Sequence, residues 1–298
     1  MIAQTTNTKI HGNETSKLNW LQHLALFTIF LACGLAILFL GSNFYEILPT
    51  NRNLTYNLII SAIFLAASLW FKFDERLNRY WMITFAFFIA SVVYPVTSLT
   101  ADWKGEMLSQ LGVVVGATSQ GTVVDKVFQM LFTVIPILVL VKLSSADLGS
   151  IYLKRGNLKL GLSFGILVWF NFATSAFLFF AGRFTSMDRL AAAVLWGLVF
   201  SFANGFLEEL WLRAIFLKRL EPFLGLGGSV LLTSIIFSVI HAGATYLTPI
   251  AIPFMLANTF TLGLACGYLM MRSDSIWGPT LIHAAADFFL FIAMLANV

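Results

Sequence analysis

The sequence predicts an all-α integral membrane protein, a bundle of about eight or nine transmembrane helices, and three observations carry that prediction. Of its 298 residues, 59% are hydrophobic, 30 are Phe and only 11% are charged. With a mean hydropathy of +0.85, such a chain cannot be solvated as a compact soluble domain. Its apolar residues fall in runs of roughly 20, the length a helix needs to cross the hydrocarbon core. Lys and Arg gather at the ends of these runs, so the net charge of +4 reflects membrane topology and gives no support for nucleic acid as a partner.

Taken in order, the runs lie near 20–41, 56–72, 79–97, 124–142, 158–181, 189–218, 226–245, 248–271 and 276–296. The polar segment before residue 20 carries Lys9, His11 and Lys17 and is followed by no small-residue cleavage site, so the first run reads as a retained span. The first three runs hold no ionisable residue in their interiors apart from His23 near an end. Residues 1–122 therefore read as a membrane module that packs or faces lipid, and 123–298 as the helical core that holds the chemistry. Between them, Ser98 to Val123 reads as a long loop containing Gly112, Gly116 and Gly121. The 189–218 run exceeds one crossing, and Pro249 and Pro253 interrupt 226–271, which leaves the count at eight or nine.

With the N-terminus inside, the inner loops hold Lys72, Arg76, Arg79, Lys142, Lys154, Arg155, Lys159, Lys218, Arg219 and Arg272. The outer loops hold Arg52, Lys104, Lys126, Arg183 and Arg189, and Val298 falls outside. The positive-inside rule favours this arrangement. Cys33 and Cys266 lie within spans and read as small buried residues, with no disulfide or Cys metal site. The Asn-x-Thr triplets at Asn13 and Asn53 mean nothing without a lumenal location. Gly161-x-Ser-x-Gly165 and Gly263-x-x-x-Gly267 read as close helix contacts.

Ionisable groups within the spans point to function, because each costs several kcal/mol at mid-membrane. In Phe206-Leu-Glu-Glu-Leu-Trp-Leu-Arg213, Glu209 and Arg213 are one turn apart in the favourable acid-before-base order and can neutralise each other. Glu208 lies about 100° round the helix, where its own helix offers no base. Phe237 and His241 are spaced one turn apart in the seventh run, and His283 and Asp287 one turn apart in the ninth. The alanines between His283 and Asp287 leave a low ridge that a helix, a water or a peptide can approach. Counted from the inner ends of their spans, Glu208, His241 and His283 lie roughly 10 to 25 Å deep. They should line one cavity with Asp287, open on the inner side or laterally between helices.

Glu-Glu-x-x-x-Arg, Phe-x-x-x-His and His-x-x-x-Asp on successive helices resemble the CPBP family of intramembrane proteases, also called the Abi or CAAX prenyl protease type 2 family. The resemblance runs from about Leu195 to Asp287 and includes Ser275-Ile276-Trp277 before the last motif. The departures are Ala214 after Arg213, where the family usually has Gly, and Asp287, where Asn is commoner. An Asp donates a hydrogen bond only when protonated.

What the resemblance implies is an intramembrane endopeptidase. Glu208 would be the general base that activates a water positioned by His241, while His283 and Asp287 polarise the scissile carbonyl. Glu209, Arg213 and Phe237 would give structural support. No cofactor is required; if a divalent metal such as zinc binds, its candidate ligands are Glu208, His241, His283 and Asp287. The expected partners are the membrane and a protein or peptide substrate, lipidated or not. The expected location is a bacterial inner or plasma membrane, with a cytoplasmic N-terminus. The alternatives are a non-catalytic scaffold or immunity protein of the same fold, and a proton-coupled transporter; the absence of an internal repeat argues against the transporter.

Overall fold

A computed structural model describes residues 19–42, 48–115, 118–243 and 248–296. His11, Asn13, Gly116 and Val298 lie outside them. The described residues form helices and turns with no strand: α1 Trp20–Leu38, α2 Thr50–Phe73, α3 Trp81–Leu99, α4 Ala101–Gln110, α5 Ser119–Leu143, α6 Leu158–Phe180, α7 Met187–Glu209, α8 Leu217–His241, α9 Ile252–Ser273 and α10 Trp277–Leu295. Among the described residues, nine helices are long and apolar enough to cross a membrane. The protein is thus an all-helical, multi-pass membrane bundle.

Three local features differ from the sequence reading. The connection from Ser98 to Val123 is not all loop, because Ala101–Gln110 forms α4. Its Ala, Lys, Glu, Met and Leu favour helix, Asp102 lies in the first turn where the helix dipole favours an acid, and the chain leaves at Gly112 with φ +69°. The 189–218 run is not one helix: α7 ends at Glu209, a π-helical turn spans Leu210–Ala214, and α8 begins at Leu217. Within α8 the backbone breaks at Gly225 (φ 67°, ψ 176°), a conformation that residues with a Cβ avoid. The predicted span from 226 is the second limb of this helix. Pro253 stands in the first turn of α9, where its missing N–H leaves no helical hydrogen bond unmade. Pro249 precedes that helix, so the two prolines mark a helix start.

The main apolar core joins the first three long helices to the rest. Phe30 and Ile37 of α1 and Phe87 and Ile89 of α3 share it with Leu210, Phe216 and Phe237. Phe30 meets Phe223 at 5.7 Å and Phe87 meets Phe216 at 5.3 Å between ring centroids. Trp211 donates its Nε1–H to the Ala90 carbonyl at 3.0 Å and receives the edge of Tyr94 at 5.1 Å. Packing, rather than exposure to lipid alone, therefore describes α1 and α3.

Elsewhere the small residues set helix separation. Gly278 of α10 lies so close to α6 that a Cβ there would come within 2.6 Å of the Gly161 Cα. Cβ atoms at Gly263 and Gly267 would meet Ser234 at 3.0 Å and Val230 at 3.2 Å, which brings α9 against α8. Both glycine pairs serve helix packing. At the end rich in basic residues, Asp274 adopts a left-handed conformation and pairs with both Lys154 and Lys218. Burial works to raise its carboxyl, but hydrogen bonds from the two lysines outweigh it and hold the group below the usual Asp value.

Candidate active site

The last turn of α7 presents Glu208 and Glu209 in different directions. Glu209 is fully buried and pairs with Arg213, also fully buried, through its Oε1. The same oxygen accepts a hydrogen bond from His283 Nδ1 at 2.8 Å, so Glu209 orients the His283 ring and aims its Nε2. Sequence spacing reveals the link to Arg213 but not the one to His283, which crosses between helices. The Arg213 guanidinium lies 3.9 Å from the Phe237 ring centroid, which supplies an attractive π face where Nε and Nη2 find no hydrogen-bond partner.

Phe237 is the centre of this packing. Besides Arg213, its ring meets the imidazole of His241 at 4.3 Å and that of His283, edge to face, at 5.4 Å. His241 closes α8, with its Nδ1 2.7 Å from the Phe237 carbonyl oxygen. A carbonyl only accepts, so Nδ1 carries the hydrogen and Nε2 is free to face the cavity.

Glu208 Oε2 lies 3.6 Å from His241 Nε2 and 3.6 Å from His283 Nε2. Asp287 Oδ2 lies 3.8 Å from His283 Nε2 and accepts a hydrogen bond of 2.9 Å from Asn204 Nδ2. Glu208, His241, His283 and Asp287 thus come together from α7, α8 and α10. Glu208 Oε2 is buried without a hydrogen-bond partner. The separations are too long for direct hydrogen bonds.

Helix approach makes this convergence feasible. A Cβ on Gly205 would come within 3.0 Å of the Ala284 backbone N, so the missing side chain lets α7 lie directly on α10. Part of the alanine ridge is therefore covered by a helix, while Ala286 faces open space.

The four residues stand where two cavities meet. A cavity of about 720 Å³ is lined by Glu208, Asp287 and His241 together with Lys126, Asn204 and Trp211. A second, of about 970 Å³, runs between α6, α9 and α10 and is lined by His283, His241 and Asp287 with a largely apolar wall. His241, Met255, Asp287 and Leu290 border both.

Thr118, Arg189 and Leu295 also line the first cavity, and Leu160, Phe164 and Tyr268 the second.

Two polar residues of the site escaped the sequence motifs. Asn204 is one turn before Glu208 and shares its face, a spacing that could have revealed it. Lys126 was assigned to an outer loop, yet it lies in α5 and lines the cavity; its signal was a lone Lys at the edge of an apolar run. Among the described residues, no group of three or more His, Cys, Asp and Glu is arranged to hold a metal ion.

No curated protein and no solved structure matches this chain. Residues 189–289, about a third of the sequence, match the family described as Type II CAAX prenyl endopeptidase Rce1-like. That stretch runs from the start of α7 into α10 and includes Glu208, Glu209, Arg213, Phe237, His241, His283 and Asp287, whereas Lys126 and α1–α3 lie outside it. The segment that carries Glu208, His241, His283 and Asp287 therefore matches the CPBP, or CAAX protease, family, the one that the three motifs resemble, while α5 and α6, which also line the cavities, lie outside the match.

Proposed function

We propose that this protein is an intramembrane endopeptidase in which Glu208 activates a water for attack on a peptide bond of a membrane-associated protein or peptide. The observation that carries the reading is the buried, unpaired Glu208 Oε2, faced at 3.6 Å by two imidazole nitrogens. A water at this point donates one hydrogen to Glu208 and the other to His241 Nε2, which leaves an oxygen lone pair for the substrate carbonyl carbon.

As the water oxygen bonds to that carbon, Glu208 takes a proton and the carbonyl oxygen becomes an oxyanion. His283, with Nδ1–H held by Glu209, stabilises the oxyanion through a protonated Nε2. Glu208 then passes its proton to the amide nitrogen, the C–N bond breaks, and an acid and an amine result. Asp287, held by Asn204, supports the imidazolium of His283 when ionised and can itself donate only when protonated.

Hydrolysis in this scheme needs no tightly bound zinc. A divalent ion, if bound, would take Glu208, His241, His283 and Asp287 as ligands and would polarise the carbonyl or the water. Elemental analysis of active protein tests this. Stoichiometric zinc that is lost together with activity on chelation, and that restores activity on return, would make the enzyme a metalloprotease.

Residues 123–298 supply the catalytic helices and 1–122 a supporting module. The proposed location is a bacterial inner or plasma membrane; the basic-residue distribution favours a cytoplasmic N-terminus, which accessibility of a tag at each terminus would check. The central experiment is incubation of the purified protein with a peptide library, comparing wild type with Glu208→Gln. Cleavage by wild type alone supports the proposal, and no cleavage by either, or equal cleavage by both, removes it.

A further inference from the structure

Asn204 enters the scheme above only as the group that holds Asp287, and that duty uses half of its donors. Its Nδ2 donates a hydrogen bond of 2.9 Å to Asp287 Oδ2, the one hydrogen bond of this side chain among the described residues. A primary amide carries two hydrogens on that nitrogen, so one is left over. Asn204 is largely buried, yet it lines the 720 Å³ cavity together with Glu208 and Asp287.

Its place relative to the base follows from the helix they share. Asn204 and Glu208 are one turn apart within α7, which is regular from Met187 to Glu209, so their Cβ atoms are roughly 5–6 Å apart on one face. The oxygen that Asn204 holds lies 3.8 Å from His283 Nε2, and that nitrogen lies 3.6 Å from Glu208 Oε2. Amide, imidazole and base therefore border one small space. Ionised Asp287 only accepts and brings no donor to it. The indole N–H of Trp211, which lines the same cavity, is already spent on the Ala90 carbonyl.

We infer that Asn204 is a further catalytic residue, whose second Nδ2–H donates to the oxygen of the carbonyl attacked at Glu208. This rests on the proteolytic reading. As the water oxygen bonds to the carbonyl carbon, Glu208 takes the proton and the carbonyl π pair moves to oxygen. The Asn204 hydrogen bond tightens on that oxygen while its hydrogen stays on nitrogen, so the amide is unchanged when the C–N bond breaks. Asp287 holds the amide in place beforehand, which spares the reorganisation a free donor would need. α7 then supplies both the base and one oxyanion donor, and α10 supplies the other through His283. The competing role is positioning alone, in which every effect of Asn204 passes through Asp287.

A double-mutant cycle separates the two roles. On a cleavable peptide, Asn204→Ala should lower kcat by about 10²-fold and leave KM within about twofold. In an Asp287→Asn background, where residue 287 brings an N–H of its own, the same change should cost only about threefold in kcat. Equal losses in the two backgrounds, or no loss in either, overturn the inference. Asn204→Leu, which fills a similar volume, takes the place of the alanine variant if that one unfolds.

Binding gives a readout without turnover. A phosphinate peptide carries a P–O⁻ oxygen where the oxyanion forms, and Asn204→Ala should weaken its binding by about 10²-fold while the parent peptide on Glu208→Gln protein shifts by less than about threefold. Equal weakening of both ligands overturns the donor role. Wild type that cleaves no peptide removes the proteolytic reading and this role with it, whereas cleavage that is indifferent to Asn204 removes this role alone.

Discussion

Two adjacent glutamates meet different partners because a helix turns about 100° per residue. Glu209 shares one oxygen between Arg213 and His283, while Glu208 points its Oε2 to the gap between two imidazoles. Glu208→Gln keeps the shape and hydrogen-bonding capacity of the side chain but removes the base. Cleavage should fall to background while the thermal midpoint stays near that of wild type, as read by peptide hydrolysis and thermal unfolding in detergent. Arg213→Ala strands a buried carboxylate and should destabilise the protein by about 3–5 kcal/mol, seen as a large loss of thermal stability.

Asp287 gives a second test at this scale. Asn at 287 can still accept from Asn204 and adds an N–H donor toward the reacting carbonyl, so Asp287→Asn should retain activity. Asp287→Ala loses both functions and should lower kcat by about 10²-fold. The acids and histidines were legible in the sequence because charge is rare within a span. The Glu209 to His283 bond and the place of Lys126 were not, because both depend on how separate helices face each other.

Elements are held at the distances the chemistry needs by residues with almost no side chain. Gly278 and Gly161 face each other unequally: a Cβ at 278 would meet the Gly161 Cα at 2.6 Å, whereas one at 161 would meet the Gly278 Cα at 3.5 Å, an ordinary contact. Gly278→Ala should therefore push α10 from α6, shift His283 and Asp287, and lower both stability and kcat. Gly161→Ala should leave both nearly unchanged. Parallel melting and kinetic measurements on the two variants check this asymmetry.

Asp274, paired with Lys154 and Lys218 at the basic end, ties the turn between α9 and α10 to the 145–156 connection. Its carboxyl is held below the usual value. Its stabilising contribution is therefore complete above about pH 4 and lost as pH falls through the depressed value. Asp274→Asn should flatten the acid limb of a stability profile measured by thermal unfolding. The apolar runs made most helices readable, with errors of a few residues at their ends. The π-helical turn was hidden because the apolar run continues through it, whereas Gly225 falls at the charged, Gly-rich gap between the runs that end at 218 and begin at 226.

At the scale of the whole molecule, α1 and α3 belong to the same core as the helices that carry the candidate site. Tyr94 and Trp211, which meet across that boundary, also line the cavity that holds Glu208. A chain limited to residues 123–298 should leave Phe87, Phe216 and Phe223 contacts unmade and expose part of the Trp211 wall. It should express poorly or lose most activity, and restoring residues 1–122 on a separate chain should recover some of both. A fragment as stable and active as the full protein would show that the shared core is dispensable.

The wall of residues common to the two cavities has a consequence for where the pieces of a cleaved chain go. One cavity is lined by residues of α6 and α9, the other reaches Thr118 and Arg189. A polypeptide cut while lying across His241 and Asp287 would have one fragment among hydrocarbon tails and the other at an aqueous exit. If the fragments left into different phases in this way, re-ligation would require them to meet again across a boundary that neither crosses readily. Separation of products by solvent would in this way make a near-reversible hydrolysis run in one direction.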